Sequence, residues 1–160
     1  MTRQISHLLR AFPIIMRVAY RLFSRAQARY TLGVAAVILN DDGLVLLVEH
    51  AYHPRLPWGL PGGWLNGDEE PATAITRELQ EELQLQARVI RVVYTSKTVP
   101  NHIDLAFHCE ALSQVGDLSH ELLAYRWFAL DQLPDIKEFH RRSIEAAVGY
   151  MQGREEWDQV

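Results

Sequence analysis

The stretch that most restricts how this chain can fold is residues 60–85, LPGGWLNGDEEPATAITRELQEELQL, where a Pro-, Gly- and Trp-rich loop runs into one amphipathic helix. Pro71 suits a first helical turn, because its missing N–H would have no partner there. Ala72, Ile75, Leu79 and Leu83 recur at helical spacing, and the stripe they form must face a core. Strand-like sequence lies on both sides. YTLGVAAVILN and LVLLVEH, joined by Asp41-Asp42-Gly43, read as a β-hairpin with a tight turn. ARVIRVVYTSKT, HIDLAFHCEA and the shorter YRWFAL read as later strands. A last helix is predicted over residues 136–151, with Phe139, Ile144, Ala147, Val148 and Met151 available for burial. Strands before and after a helix, in a chain of 160 residues, predict one α/β or α+β sandwich.

The polar side of the central helix is unusual. Glu78, Glu81 and Glu82 are related by i, i+3 and i+4 and so project from neighbouring points, where each like-charge pair costs a few tenths of a kcal/mol. A solvated acidic face is the plain reading. Three features argue for more. Arg77 stands beside the cluster and can hold a carboxylate in one rotamer. The glycines of GLPGGW allow close backbone approach or positive φ. Hard divalent cations take oxygen ligands, and Mg²⁺ binds through a few carboxylates while keeping waters and substrate phosphates.

On these residues the chain resembles the Nudix family. The box pattern G-x5-E-x7-R-E-U-x-E-E-x-G-U, with U a bulky aliphatic, is met by Gly63, Glu69, Arg77, Glu78, Leu79, Glu81, Glu82 and Leu85; Gln84 replaces the last glycine. The resemblance covers about residues 30–150. It implies a Nudix fold, with a mixed β-sheet between α-helices, and hydrolysis of a nucleoside diphosphate linked to another group X. By position, Glu78, Glu81 and Glu82 are the implied ligands of Mg²⁺, with Mn²⁺ as a substitute. A carbonyl of Gly62 or Gly63 would complete the shell. Glu78 and Glu82 are the implied catalytic carboxylates, Arg77 orients a box glutamate and Glu69 supports it. Glu121 resembles a ligand or base found outside the box in some members. The implied substrates are a nucleotide sugar, an ADP-ribose-like compound or a (d)NTP; a silent domain that binds a nucleotide is the alternative. Isomerase chemistry on an isoprenoid diphosphate fits poorly, because Cys109 lies in the wrong context. Gln84 can adopt the left-handed conformation of the missing glycine at about 1 kcal/mol, or the helix can run on slightly.

Other signals are weaker. His53, Trp64 and Asn101, with Arg77, are candidate substrate-binding residues near the glycine loop and the later strands. His50 and His53 flank that loop, although surface histidines are the plainer reading. Trp58 and Trp64 bracket the loop, as stacking platforms or as packing. By the same resemblance, a proline near the position of Pro100 implies ADP-ribose hydrolysis, although TVPNHIDLAF shares little else with that subgroup. Cys109 reads as a small buried strand residue.

Charge separates the chain into two parts. Residues 1–40 hold Arg3, Arg10, Arg17, Arg21, Arg25 and Arg29 and no acid; the remainder carries ten basic and twenty acidic groups. So acidic a body is a poor general nucleic-acid binder. Residues 1–29 are expected as a basic amphipathic helical segment and 30–155 as the Nudix domain. Over residues 4–29 the arginines fall within an arc of about 120°, facing away from Leu8, Phe12, Ile15, Ala19, Leu22, Phe23 and Ala26. Pro13 is expected to kink this helix or divide it into two shorter pieces. Its apolar side suits packing on protein, including a homodimer, or a peripheral contact with an anionic membrane. No apolar run is long enough to span a bilayer, and Arg17 and Arg21 interrupt any signal-like stretch. One cysteine forms no internal disulfide, which fits a cytoplasmic protein, membrane-associated only through the N-terminal helix.

Overall fold

A computed structural model of the chain describes residues 13–153, and the chain divides after Tyr30 into two compact units. In the first, helix α1 (Pro13–Ala26) carries Arg17, Arg21 and Arg25 at successive i+4 positions, and exposes Ile14, Leu22 and Phe23. The described helix begins at Pro13, a first-turn position where the fixed φ and missing N–H carry no cost. Residues 4–12, where the helix was expected to begin, lie outside the described residues.

The second unit is an α+β sandwich with two sheets instead of one. Its elements are β1 (Thr31–Ile38), β2 (Val45–His50), β3 (Trp58–Gly59), β4 (Gly62–Trp64), α2 (Pro71–Leu83), β5 (Ala87–Val99), β6 (His102–Ala111), β7 (Leu122–Phe128) and α3 (Glu138–Met151). One sheet is mixed, in the order β4-β1-β6-β5, with β1 and β6 parallel from Thr31–His102 to Ile38–Cys109. The other is antiparallel, in the order β3-β2-β7.

The hairpin expected between β1 and β2 is therefore corrected. Its turn forms: Gly43, at φ 73°, donates its N–H to the Asn40 carbonyl at 2.9 Å, and Leu44 N–H donates to Asn40 Oδ1 at 2.8 Å. Beyond one bridge, Leu39–Val45, the strands part into different sheets. Both are apolar on both faces, as strands covered on two sides are. Val34, Ala36, Ile38, Leu46 and Val48 face Ala74, Ile75, Leu79 and Leu83 of α2. Ala35, Val37, Val45 and Leu47 pack with Ile144 and Ala147 of α3. The two strands form the shared middle layer of the core, with a helix over each side.

Two burial expectations change. Ala72 is exposed and Ala74, two residues further into the helix, joins Ile75, Leu79 and Leu83 in the α2 stripe instead. Met151, in the last turn of α3, is exposed, while Ser143 beside Ile144 is buried and donates to the Phe139 carbonyl at 2.7 Å. Cys109 is fully buried, as a small strand residue should be. Gln84 ends α2 in the left-handed conformation, φ 48° and ψ 32°, with its N–H on the Gln80 carbonyl at 3.1 Å. Leu85 N–H returns to the Leu79 carbonyl at 3.1 Å, so the motif that glycine usually closes is closed here by glutamine.

Candidate active site

Helix α2 lays its apolar stripe on the sheets, and that orientation turns the line of Arg77, Glu78, Glu81 and Glu82 toward the loop 59–69. Arg77 is the hub. Its Nε and Nη2 hold both oxygens of Glu69, at 3.1 and 2.8 Å, and Nη2 also donates to the Trp64 carbonyl at 3.0 Å. Nη1 reaches Glu78 Oε1 and Glu81 Oε2, each at 2.9 Å. Asn66 N–H adds a hydrogen bond to Glu69 Oε1 at 2.8 Å. These bonds to Arg77 and Asn66 hold the Glu69 carboxyl below the usual range. The guanidinium, bonded to Glu69 first and then to Glu78 and Glu81, is pushed further toward its charged form. One arginine thereby ties the loop to the helix and fixes two of its three glutamates.

Glu82 is different. Its side chain is buried, at 6% exposure, and Oε2 accepts a hydrogen bond from Gly62 N–H at 3.0 Å. Burial pushes its carboxyl up to about 8; the Gly62 hydrogen bond opposes the shift, and the charges of Glu78, Glu121 and Glu81 add to it. The two glycines are there for space. A Cβ on Gly63 would stand 2.5–2.7 Å from the Glu78 carboxylate, while one on Gly62, at φ 150°, would meet the Val34 carbonyl at 2.1 Å. Only bare backbone lets the loop come this close to the helix.

A divalent cation fits this donor set. All the donors are oxygen, they carry excess negative charge, and the Glu82 carboxyl is held away from ionisation by burial and then by its charged neighbours, which an added cation would offset. Among the described residues no three His, Cys, Asp or Glu side chains are arranged to hold a metal by themselves. Arg77 occupies part of the Glu78 and Glu81 oxygens. The arrangement suits an ion that brings waters and substrate oxygens with it more than a closed protein cage.

Outside the box the other candidates separate. Glu121 is exposed at the start of β7, next to the end of β2, where its carbonyl accepts Ala51 N–H at 2.9 Å. Its charge acts on both Glu82 and His50. Trp64 is 62% exposed and lies 4.7 Å from the His102 ring, whereas Trp58 packs edge-on against Phe128 at 5.1 Å. The two tryptophans thus divide the alternatives: Trp64 offers an open face, and Trp58 belongs to the core. Asn101 sits at φ 58° in the β5–β6 turn, a conformation asparagine tolerates, and its carbonyl accepts Thr31 N–H at 3.0 Å.

His53 is exposed and His50 half-buried, and the two belong to one cluster. Their rings are 5.7 Å apart, Lys137 Nζ is 3.5 Å from His53 Nε2, and His140 Nδ1 accepts Leu60 N–H at 3.2 Å. Lys137 and His140 escaped the sequence reading, because nothing in their spacing ties the start of α3 to a loop some eighty residues away. His102 was also missed. It bridges Thr31 Oγ1 at 2.8 Å and Asp104 Oδ1 at 3.0 Å, a pair that only the parallel β1–β6 register assembles.

Comparison with known proteins agrees with this picture. The family model described as NUDIX domain matches residues 29–147. A MutT-like protein of Streptomyces ambofaciens is 31% identical over 107 residues, covering 66% of this chain and 68% of the relative. An NAD-capped RNA hydrolase of Edwardsiella ictaluri is 30% identical over 138 residues, covering 80% of this chain and 53% of the relative. This chain thus spans about two thirds of one relative and half of the other. Among solved structures, an ADP-ribose pyrophosphatase from Streptococcus suis superposes with TM-score 0.62 at 26% identity, over 81% of this chain and 96% of that one.

Proposed function

The chain belongs to the NUDIX family of hydrolases, and we propose that it is a Mg²⁺-dependent pyrophosphohydrolase cleaving a P–O–P bond in a nucleoside diphosphate linked to a second group. The observation that carries this reading is Glu82: a buried carboxyl, repelled by three other glutamates and gripped by the backbone of the glycine loop.

Glu78, Glu81 and Glu82, with a carbonyl of Gly62 or Gly63, would hold the divalent cation, Mg²⁺ or Mn²⁺, which when bound supplies phosphoryl charge neutralisation and Lewis acidity. Arg77 keeps Glu78 and Glu81 in place and locks Glu69 to the loop. Glu121, close enough to act on Glu82, takes the proton of the attacking water. Trp64 offers its exposed face to the base or sugar, and His53 lies with the substrate phosphates.

The relatives' names point to several substrates: NAD-capped RNA for one and ADP-ribose for another. For this chain a small nucleotide derivative is preferred over RNA, because residues 41–160 carry twice as many acidic as basic groups. The apolar side of α1 and its arginines suit a second copy of the chain or an anionic membrane surface, and sedimentation with anionic vesicles separates the two. Among the described residues no helix is long and apolar enough to cross a membrane.

The test is product analysis by chromatography after incubation with Mg²⁺ and a panel of (d)NTPs, ADP-ribose, nucleotide sugars, dinucleoside polyphosphates, NADH and coenzyme A. Cleavage of one class by the wild type and not by Glu82→Gln is the expected result. Ligand binding without cleavage, unchanged in Glu82→Gln, would instead identify a silent nucleotide-binding domain.

A further inference from the structure

Three separate segments bring His50, His53, Lys137 and His140 together: the end of β2, the loop after it, and the start of α3. None of them belongs to the box. The Lys137 ammonium approaches His53 Nε2 at 3.5 Å rather than a carboxylate. His140 has its tautomer set, because Nδ1 accepts Leu60 N–H and the neutral ring must then carry its proton on Nε2. That Nε2 and the Nε2 of His50 lie 3.2 and 3.4 Å from the point where a Cβ on Gly59 would stand. The missing side chain at Gly59 therefore leaves room for two ring nitrogens, one of them a fixed donor.

The cluster is short of negative charge. Packing around the His140 ring, then the charges of Lys137, His50 and His53, push its pKa down to about 4, and Asp104 only partly opposes them. His50 and His53 are lowered too, each by burial first; His53 and Lys137 act on His50, Lys137 acts on His53, and Glu121 alone among the acids raises His50. With the rings neutral, an anion placed among these groups would meet the Lys137 ammonium and the Nε2–H of His140, and would favour protonation of the rings.

Its position relates it to the glutamates. Leu60 N–H holds His140 and Gly62 N–H holds Glu82, two residues apart across the bend at Pro61. Two residues span at most about 7 Å even when fully extended, on the order of the span of a short polyphosphate. Glu121 acts electrostatically on both sides, on Glu82 and on His50.

We propose that His50, His53, Lys137 and His140 form a phosphate-binding subsite beside the glutamate centre, so that the preferred substrate carries a further phosphate on the group leaving the cleaved diphosphate. This rests on the pyrophosphohydrolase reading for the word substrate, but the anion site itself does not need it.

Two experiments test the subsite. In the first, inorganic pyrophosphate is titrated into the metal-free protein while imidazole NMR shifts are followed. His50, His53 and His140 shift, His108 and His120 do not, and the exposed double variant His53→Gln/Lys137→Met weakens the response about tenfold or more. Equal shifts at all of these histidines, or a response unchanged in the double variant, would overturn the proposal. Glu82→Gln keeps the NMR response whether or not the protein is a hydrolase, so a silent enzyme with an intact response sinks only the hydrolase reading. In the second, the single variant Lys137→Met raises KM about tenfold for a nucleoside triphosphate and leaves KM for a nucleotide sugar with an uncharged sugar unchanged. An equal rise for both substrates would refute a subsite specific for the additional phosphate.

Discussion

Replacing Glu82 with glutamine should make the protein more stable at alkaline pH and leave it unchanged in acid. In the folded protein without divalent ions the Glu82 carboxyl is pushed up by burial to about 8, from the ordinary 4.5 of a glutamate. Below about pH 4 both folded and unfolded states are protonated there, and the group contributes nothing to pH dependence. Between 4.5 and 8 the unfolded chain has released a proton that the folded protein still holds. The folded state then binds more protons, and stability falls as pH rises, by about 1.4 kcal/mol per unit. The full gap amounts to about 3–5 kcal/mol by pH 8.5, an upper range for a buried carboxyl with three charged neighbours. Glutamine stays neutral throughout and keeps an oxygen for Gly62 N–H, so it escapes this loss. The assay is thermal or urea denaturation from pH 4 to 9 in EDTA, comparing wild type with Glu82→Gln. The two curves should nearly coincide at pH 4 and diverge by roughly 10 °C in Tm near pH 8.5. Added Mg²⁺ should restore stability to the wild type at pH 8.5 and do little for the variant. A difference in Tm that stays constant across the range would refute the claim that Glu82 ionises against its surroundings.

Three further outcomes follow from the same geometry. Gly63→Ala forces the Glu78 carboxylate to move by about 1 Å from a flexible end, so Tm changes little while kcat/KM falls about a hundredfold; Gly62→Ala meets backbone at Val34 and costs folding instead, which circular dichroism melts separate from the activity loss. Arg77→Lys loses the paired contacts to Glu69 and at least one of those to Glu78, Glu81 or Trp64, and should lower kcat by about tenfold or more with a normal melting curve, read in steady-state kinetics. Gln84→Gly gains up to about 1 kcal/mol from relieved left-handed strain but gives up the Gln84 contact with Asp117 N–H, so denaturation should show a change within about 1 kcal/mol and turnover none.

The box was legible because helix geometry is local. Once Pro71 and the apolar residues set the helical phase, the spacing of Arg77, Glu78, Glu81 and Glu82 placed them on one side, with no knowledge of the rest of the chain. Even the end of the helix could be read, since Gln84 stands where the left-handed residue must be. The strand segments were readable too, as runs of apolar residues, but not their partners. A run apolar on both faces says that a strand is covered twice and leaves open which strand lies beside it, so LGVAAVI and LVLLVE looked like a hairpin and belong to different sheets.

Sequence by itself therefore determined the helix, its carboxylates, the arginine beside them and the need for glycine in the loop, all of which are fixed within about twenty-five residues. Tertiary structure decided what depends on distant pairings. It buried Glu82 and left Glu81 exposed, although the two are adjacent in sequence. It set Glu121 where its charge acts on Glu82, and gathered His50, His53, Lys137 and His140 from three segments. The physical reason is that burial and long-range charge depend on how the whole core closes around the site, and no periodicity along the chain encodes that.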